Sequence, residues 1–522
     1  MLKRTAGGLL ACLVFLLLAL AGCGGEPGGG IFRYDMQAIP ASLDPQLASS
    51  ESETLILANV FEGLTALGPD GEAVPACAER IEVSADGLVY TFPLREGLVW
   101  SDGSPLTAAD FVFGLRRLFE EGFPSPHAEE YAAIQNAPEI LAGVRPAADL
   151  GVSAPDERTV RIVLSAPDAD FPALLAQSPA MPCKEAFFRE QKGRYGRDSQ
   201  NLLYNGPFYV RSWTAESVSL RRNERYRAPV AADGVNLYAG RGDAVDRFLA
   251  GESDACLVPY HRLSDSGTGG EDYLYHQSWA LLFQFDRPAL SSEEVRAALL
   301  GVFPEDRFSS LLPASVRAAT SLIPSGARLS GTPWSELSGG ASPAARPADP
   351  KQAFYAALSA MDLEKLPKTT LLVPDVEPGT EIGSAMQRAW QTELSAYINM
   401  EPLAYDELIR RVAAGDFDLA IAPVPASGSN PADVLRYFLG GTGEEDGGRL
   451  AALLAPAGRR EEPAETVRRY QQAEQLLIDR YEAYPLFEAP SLFLTREGTA
   501  GIVYSPATGA VLFSAARLVK DS

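Results

Sequence analysis

The feature that most constrains the fold is a regular alternation of strand and helix patterns between residues 369 and 423. The short apolar runs 369–374, 398–403 and 417–423 are typical of buried strands. The segments between them carry apolar residues at helical spacing. Strands that alternate with helices in this way form a parallel sheet covered by helices. The pattern therefore predicts an α/β fold, and alternating strand patterns farther upstream predict a second, β-rich region.

The stretch from 86 to 112, DGLVYTFPLREGLVWSDGSPLTAADFV, predicts a scaffold element. Alternation over 88–94 predicts a strand, and 98–100 predicts a second short strand that pairs with it as a hairpin. Thr107 is a good helix N-cap, and Asp110 three residues later completes a capping box. The stretch contains no histidine and no cysteine, so it predicts a hairpin, a turn and a capped helix rather than a reactive site.

The first 22 residues have the features of a signal peptide, with Lys3 and Arg4 ahead of an unbroken apolar run over 9–20. The run is too short to span a bilayer comfortably, since that takes about 20 residues. It ends in LAGC, which resembles the lipobox of bacterial lipoproteins, and a glycine-rich spacer occupies 23–30. We therefore expect residues 1–22 to be removed and Cys23 to carry lipid. The alternative is an ordinary signal peptide followed by a chance cysteine.

Composition and motif content argue against several classes of function. The formal net charge of −23 repels phosphate backbones, so nucleic-acid binding is not expected. The three histidines, His127, His261 and His276, have no metal-ligand spacing. The sequence has no phosphate-binding loop, dinucleotide fingerprint or nucleophile elbow. We therefore expect no metal, no cofactor and no enzymatic activity, although carboxylates brought together from distant positions would be an exception.

Beyond Cys23 the chain has cysteines at 77, 183 and 256, far apart in sequence. A protein exported from the cytoplasm can form disulfides, and an odd number leaves one thiol over. The spacing does not select a pair, and buried free thiols are equally compatible with it.

Several stretches together resemble successive hallmarks of the extracellular solute-binding family 5. These proteins are the substrate-binding subunits of ABC importers for oligopeptides, dipeptides and related solutes. The stretches are 40–48, 59–118, 205–213 and 293–308, and 125–164 is closer still to the oligopeptide-binding branch. The resemblance covers essentially the whole mature chain, so the stretch around Thr107 is interpreted as part of the family's scaffold.

The resemblance implies an α/β, two-lobed periplasmic-binding-protein-like fold of type II with an extra small domain and a hinge that the chain crosses twice. Lobe I is expected to comprise 31–58, 196–275 and 486–522. The extra domain is expected over 59–195, and lobe II over 276–485. Ligands of this family are enclosed between the two lobes, and closure of the lobes excludes water.

The implied function is that of a lipid-anchored receptor for an ABC importer. It would capture an oligopeptide or a related solute, with a peptide held as an extended strand through its main chain. It would pass this ligand to a membrane permease served by a cytoplasmic ATPase. We expect a monomer, held by Cys23 at the outer face of the cytoplasmic membrane or in the periplasm. Alternatives are a surface peptide-sensing, signalling or adhesion protein on the same scaffold and, less in keeping with the motifs, a hydrolase.

The sequence departs from the family pattern where relatives bind the peptide's amino terminus. Oligopeptide binders typically carry a W-x-x-D-Y-x-x-P-like motif, whose aspartate pairs with that ammonium group. In the equivalent run here Pro431 matches, but Ser427 stands at the aspartate position and Gly428 at the aromatic position. Ser49 likewise replaces an acidic residue often found after the LDP motif. A buried ammonium without a carboxylate is several kcal/mol unfavourable, so another carboxylate substitutes or the ligand differs. Misalignment of the loop is the alternative.

Aromatic residues complete the predicted site. By resemblance, Tyr405 and Phe487 match aromatic positions near the ligand pocket. Trp279 follows polar residues at the start of a strand, so pocket exposure and core packing are equally compatible with it. The predicted ligand-binding residues are Ser49, Trp279, Tyr405, Ser427, Gly428 and Phe487.

Overall fold

The structure is a computed structural model that describes residues 29–519 apart from 69–70, 123–124, 267–272, 330–331, 425–429, 441–443, 455–462 and 507. The predicted signal peptide and Cys23 therefore lie outside the described residues, as do Ser427 and Gly428. Within the described part of the chain, no helix is both long enough and apolar enough to cross a bilayer.

The first part of the chain is mainly antiparallel sheet with short helices. Its elements in chain order are β1 (Ile31–Asp35), α1 (Glu51–Val60), β2 (Thr65–Leu67), β3 (Ala73–Pro75), β4 (Glu82–Val83), β5 (Val89–Pro93), α2 (Ala108–Arg117), α3 (Ala137–Leu141), β6 (Val152–Asp156), β7 (Thr159–Val163), α4 (Phe171–Leu174), α5 (Glu185–Gln191), β8 (Phe208–Trp213), β9 (Ser217–Arg222), β10 (Gly234–Tyr238), α6 (Ala244–Leu249) and β11 (Ala255–Val258). The strands pair in the orders β1-β10-β9-β8 and β4-β5-β7-β6.

The second part contains the longer helices. Its elements are β12 (Leu274–Phe283), α7 (Glu293–Gly301), α8 (Glu305–Phe308), β13 (Arg317–Ala318), β14 (Arg328–Leu329), β15 (Thr332–Pro333), α9 (Trp334–Leu337), α10 (Pro350–Ala360), β16 (Thr369–Pro374), α11 (Gly379–Leu394), β17 (Ile398–Leu403), α12 (Tyr405–Ala413), β18 (Leu419–Pro423), α13 (Pro431–Arg436), α14 (Glu444–Leu454), α15 (Pro463–Asp479), β19 (Ala483–Thr495), β20 (Thr499–Ala500), β21 (Val503–Ser505), β22 (Ala510–Leu512) and β23 (Arg517–Leu518).

The alternation predicted between 369 and 423 is confirmed as β16, α11, β17, α12 and β18. Strand β16 pairs in parallel with β17 and with β18, as expected when a helix links each strand to the next. Strands β16 and β18 are buried because helices cover the sheet, and their residues form continuous apolar runs, whereas the edge strand β17 is only partly buried.

A single sheet connects this α/β layer to the β-rich part of the molecule. Its strands pair in the order β11-β19-β12-β18-β16-β17. Strand β12 leads the chain into the α/β layer, and the long antiparallel strand β19 leads it out again, with Trp279 opposite Phe487. At its far end β19 pairs with β11, where Thr495 lies opposite Ala255. The chain therefore crosses between the two parts along two paired strands.

The described residues form two large hydrophobic cores. One gathers buried side chains from 279 to 489 together with Tyr260. The other gathers side chains from 32 to 255 and from 502 to 516, so the C-terminal residues return to pack with the N-terminal ones. Each lobe of the two-lobed α/β fold thus has its own core, and β12 and β19 pass between them.

The predicted hairpin around 98–100 is wrong. Strand β5 pairs instead with β4 and with β7, and Val99 makes only an isolated bridge to Pro105 among the described residues. The reason is burial: β7 pairs with β5 over five positions and contributes the fully buried Val160 and Ile162. Pairing with β7 therefore buries more apolar surface of β5 than pairing with the short segment 98–100 would.

The predicted capping box at the start of α2 is confirmed. The Asp110 carboxylate accepts a hydrogen bond of 2.9 Å from the Thr107 backbone N–H. The same carboxylate accepts a 3.2 Å bond from the indole N–H of the fully buried Trp100. This segment contributes packing and helix capping, as expected of scaffold.

A buried ion pair fastens α2 to the segment before α1. Both terminal guanidinium nitrogens of Arg117 donate to the Asp44 carboxylate, at 3.0 and 2.7 Å. Arg117 is 1% exposed and Asp44 4%. The guanidinium also lies 4.0 Å from the centre of the Phe188 ring. The LDP sequence thus has a structural role, because its aspartate neutralises a buried arginine.

Candidate functional site

Five ring-bearing side chains meet where β12 and β19 pass between the lobes, and we refer to them as the aromatic cluster. Tyr260 and His261 begin the 3-10 helix Tyr260–Ser266 after β11. Trp279 lies in β12, directly opposite Phe487 in β19. Tyr405 is the first residue of α12. The cluster thus collects side chains from elements that are far apart in sequence.

The rings of the cluster pack in well-defined pairs. Trp279 stacks on Phe487, with centroids 5.3 Å apart and ring planes at 13°. Tyr260 contacts Trp279 edge-on at 5.2 Å, and Tyr405 lies 6.1 Å from Trp279 and 5.0 Å from His261. Aromatic pairs at such distances each contribute about 0.5–1.5 kcal/mol beyond area burial. Trp279 and Phe487 are fully buried, whereas Tyr405 and His261 are half-buried. The cluster therefore has a fixed inner part and an accessible outer face.

Polar atoms on the cluster lack partners. The Tyr260 hydroxyl, the Trp279 indole N–H and His261 Nδ1 are buried and make no hydrogen bond with any described residue. A buried donor without a partner is unfavourable by about 1–3 kcal/mol, so most such groups in folded proteins bind protein, water or ligand. These three atoms therefore keep hydrogen-bonding capacity that the described residues do not use.

Carboxylates influence the ionisation of two tyrosines in the cluster. Burial raises the pKa of Tyr405, and the charges of Glu51 and Asp406 raise it further. Burial also raises the pKa of Tyr260, to which Tyr405 and Asp375 add. Glu51 belongs to α1 on the N-terminal side, whereas Asp375 and Asp406 follow β16 and β17. Carboxylates from distant parts of the chain therefore influence the ionisation of these two tyrosines.

The imidazole next to Tyr405 adds no positive charge at neutral pH. Burial lowers the pKa of His261 below its ordinary value, and the charge of Arg262 lowers it further, against the opposing effect of nearby aspartates. Arg262 itself is engaged by carboxylates, with ion pairs to Asp243 at 2.7 Å and to Asp265 at 2.5 Å. The electrostatic character of the site is therefore negative.

The structure brings together Trp279, Tyr405 and Phe487 of the predicted site residues. Trp279 and Phe487 belong to the buried inner part, and Tyr405 to the accessible face. Ser49 lies on the surface just before α1, where its backbone N–H donates to the Glu53 carboxylate at 2.9 Å. Ser427 and Gly428 lie outside the described residues, so their role stays a prediction.

Sequence reasoning missed Tyr260 and His261. These two residues follow a short strand without any local motif. No local pattern could therefore have indicated that they join the aromatic cluster.

Other surface features are weaker candidates. An open depression of about 580 Å³ contains none of the aromatic cluster and is lined by Phe248, Leu249, Ala250, Gly251, Thr495, Arg496 and Glu497. Its one cation, Arg496, already pairs with Asp254 at 3.2 Å. Within the described ranges, no group of three or more His, Cys, Asp or Glu side chains could hold a metal ion. Cys77, Cys183 and Cys256 are free and buried.

Comparison with known proteins agrees with this architecture. A family model described as Bacterial extracellular solute-binding proteins, family 5 Middle matches residues 72–446. The chain is 28% identical over 489 residues to the "Probable deoxycholate-binding periplasmic protein YgiS" of Escherichia coli (strain K12), covering 90% of each chain. It is 25% identical over 538 residues to the "Dipeptide-binding protein" of Lactococcus lactis subsp. cremoris (strain MG1363), covering 95% of this chain and 97% of that protein.

A solved structure shows the same fold. The structure titled "Listeria monocytogenes OppA bound to peptide" superposes with a TM-score of 0.74 at 21% identity, covering 95% of this chain and all of that one. The resemblance found in the sequence is thereby confirmed, together with the two-lobed α/β architecture. The chain belongs to the bacterial extracellular solute-binding proteins, family 5.

Proposed function

We propose that this protein is the lipid-anchored substrate-binding subunit of an ABC importer, and that it captures peptides between its two lobes for delivery to a membrane permease. The observation that carries the proposal is the aromatic cluster with its unpartnered polar atoms, placed on the strands that join the lobes. A ligand in the gap beside it touches both lobes, which is the geometry that a closing receptor requires.

Charge favours a peptide over an anionic solute. The charges of Glu51, Asp375 and Asp406 raise the pKa of the tyrosines in the cluster, and burial lowers the pKa of His261, so this imidazole is neutral at pH 7. An anion such as deoxycholate would meet uncompensated negative charge in a partly desolvated site. A peptide with a free amino terminus brings a positive charge, and its main chain offers both donors and acceptors. We therefore favour peptides, although one relative is named for deoxycholate.

We propose the domain boundaries that the sequence predicts. Lobe I comprises 31–58, 196–275 and 486–522, the extra domain 59–195 and lobe II 276–485. The separate cores support this division, because buried side chains from 279 to 489 pack together and those from 502 to 516 pack with the N-terminal part. Anchoring through Cys23 places the body next to the permease.

The protein acts by binding without chemical turnover. Its family is one of solute-binding proteins, and the accessible face presents tyrosine, histidine and carboxylate groups without a hydrogen-bonded nucleophile and base among the described residues. After long incubation with pentaalanine, chromatography should recover the peptide intact. Cleavage by the native protein but not by heat-denatured protein would show that an activity has been overlooked.

The deciding experiment identifies the ligand. Protein purified from its own host under mild conditions is analysed by native mass spectrometry, and the stripped protein is then melted with alanine peptides of two to six residues or with deoxycholate. A ligand at 100 times its Kd stabilises the folded state by about 2.7 kcal/mol, which a melting curve resolves readily. We expect co-purified peptides and a raised Tm with peptides. Stabilisation by deoxycholate alone would overturn the peptide assignment.

A further inference from the structure

Four large apolar side chains are exposed near the two ends of the described chain, and we refer to them as the entry patch. Ile31, the first residue of β1, is 48% exposed, and Leu249 in α6 is 50% exposed. Leu518 and Val519 are 49% and 48% exposed. Apolar side chains that are exposed singly are ordinary on a protein surface, so the entry patch matters only if its members lie together.

Both ends of the described chain meet at this surface. The Leu518 side chain lies against Gly30, because a methyl group at that glycine would be 3.2 Å from Leu518 Cδ1. Ile31 follows Gly30 directly. Val519 continues from Leu518, and its backbone N–H donates to the Gly498 carbonyl at 2.8 Å. Three members of the entry patch are therefore gathered around the start of β1.

A shared carbonyl connects Leu249 to the same surface. The Gly251 carbonyl, two residues after Leu249, accepts a hydrogen bond from Arg33 of β1 at 3.2 Å and another from Arg496. Both guanidinium groups also pair with Asp254, at 2.7 and 3.2 Å. Leu249 and Arg496 line the same open depression of about 580 Å³. These contacts hold the end of α6 beside β1 and complete the entry patch.

The surface around the entry patch is electrically neutral, whereas the chain as a whole has a formal net charge of −23. The segments 29–33, 248–254, 495–500 and 515–519 contain equal numbers of basic and acidic residues. These residues are Arg33, Arg496, Arg517, Glu252, Asp254 and Glu497. Anionic lipid headgroups repel an acidic surface but not a neutral one. This part of lobe I can therefore approach a bacterial membrane without the repulsion that the net charge would cause elsewhere.

The proposed lipid anchor keeps this surface close to the bilayer. Cys23 is six residues before Gly29, the first described residue. A chain spans at most about 3.3–3.6 Å per residue, so Gly29 lies no more than about 22 Å from the lipidated cysteine. A surface on so short a tether meets the membrane at a high effective concentration, and weak apolar contacts are then sufficient to hold it there.

We propose that the entry patch docks on the lipid bilayer, with its exposed apolar side chains at the boundary between headgroups and acyl chains. The inference rests on the proposed function, because it requires the anchor at Cys23. It adds a second point of attachment to the membrane. Two points of attachment restrict how the receptor is oriented towards the permease, which a single tether does not.

A fluorescent reporter tests the docking. The full-length protein, lipidated in a bacterial host, is reconstituted with vesicles of phosphatidylethanolamine and phosphatidylglycerol. An environment-sensitive dye is attached through Thr495→Cys, at an exposed position in the depression, or through Tyr397→Cys, which is exposed on lobe II. Cys77, Cys183 and Cys256 are buried, so the dye reacts at the introduced cysteine. Flotation of the vesicles measures anchoring separately.

We expect the emission of the Thr495→Cys reporter to shift to shorter wavelength on vesicles and that of the Tyr397→Cys reporter to stay unchanged. Leu249→Ser/Leu518→Ser should lower the ratio of docked to undocked protein about tenfold or more, because two half-exposed leucines lose their apolar surface. Leu141→Ser/Val144→Ser removes two exposed apolar side chains from the extra domain, and this matched control should leave the ratio unchanged.

Three outcomes would overturn the docking. If the native protein floats with the vesicles but the Thr495→Cys reporter does not shift, docking is refuted while the anchor stands. A shift only in vesicles made from host membranes would assign the entry patch to a membrane protein instead of lipid. An equal shift in Leu249→Ser/Leu518→Ser would refute the role of these side chains. If the native protein does not float, the proposed anchor fails, and the docking fails with it.

Discussion

The buried pair of Asp44 and Arg117 offers a quantitative test of how the N-terminal segment is held to the rest of the molecule. Asp44→Ala would remove both charge-assisted hydrogen bonds, at 2.7 and 3.0 Å, and leave a guanidinium that is 1% exposed without its carboxylate. Removing one partner of a buried pair lowers stability by about 3–5 kcal/mol. The variant would also lose the 3.2 Å bond from the Gln46 backbone N–H, a capping contact of about 1 kcal/mol. We therefore expect a loss of about 4 kcal/mol in the free energy of unfolding.

Urea unfolding followed by tryptophan fluorescence measures this loss, because Trp100 lies in the same hydrophobic core. Arg117→Met should have a similar effect alone. The double variant should lose at least about 2 kcal/mol less than the sum of the single variants, because neither charge is then left buried and unpaired. Glu185→Ala, which breaks an exposed pair on α5, is the control and should cost less than about 1 kcal/mol. An Asp44→Ala protein as stable as this control, or strictly additive losses, would refute the reasoning.

Two further predictions concern membrane anchoring and pH. Cys23→Ala should move the protein from the membrane fraction to the soluble fraction after cell lysis, since the lipid would have no attachment point; membrane retention of the processed variant would contradict lipidation at this residue. Burial, with a contribution from Asp170, raises the pKa of Asp168 to about 6. Because its folded-state pKa lies above the unfolded value, ionisation of Asp168 destabilises the fold progressively from about pH 4 to pH 6 and fully above that range, and the effect is absent only below about pH 4. Asp168→Asn should therefore be more stable than the native protein at pH 7.5, by about 1–3 kcal/mol, and no more stable at about pH 3; equal differences at both pH values in urea unfolding would exclude this role.

The sequence predicted those parts of the fold that local periodicity specifies. The α/β layer from β16 to β18 was predictable because buried strands and amphipathic helices have distinct patterns over short windows. The capping box of Thr107 and Asp110 was equally local. The predicted hairpin after β5 was wrong because the partner of β5 in the structure, β7, lies far downstream in the chain. Burial of Val160 and Ile162 favours this pairing. Long-range strand pairing is not encoded in the turn alone.

The site was predictable only in part. Family resemblance indicated Tyr405 and Phe487, and the structure places both with Trp279 in the aromatic cluster. It could not indicate that Tyr260 and His261 join them, because this depends on how the 3-10 helix Tyr260–Ser266 packs against β12 and α12. Contacts between elements far apart in the chain leave no local pattern in the sequence.

The position of Trp279 and Phe487 on the strands that join the lobes bears on how binding leads to closure. A ligand shifts a conformational equilibrium only by the difference between its affinities for the two states. A group that touches one lobe alone interacts equally with open and closed forms and shifts nothing. Trp279 and Phe487 are stacked on each other and fully buried, so a ligand gains little new contact from either of them when the lobes close. The difference in affinity that drives closure therefore has to come from ligand contacts beyond this stacked pair.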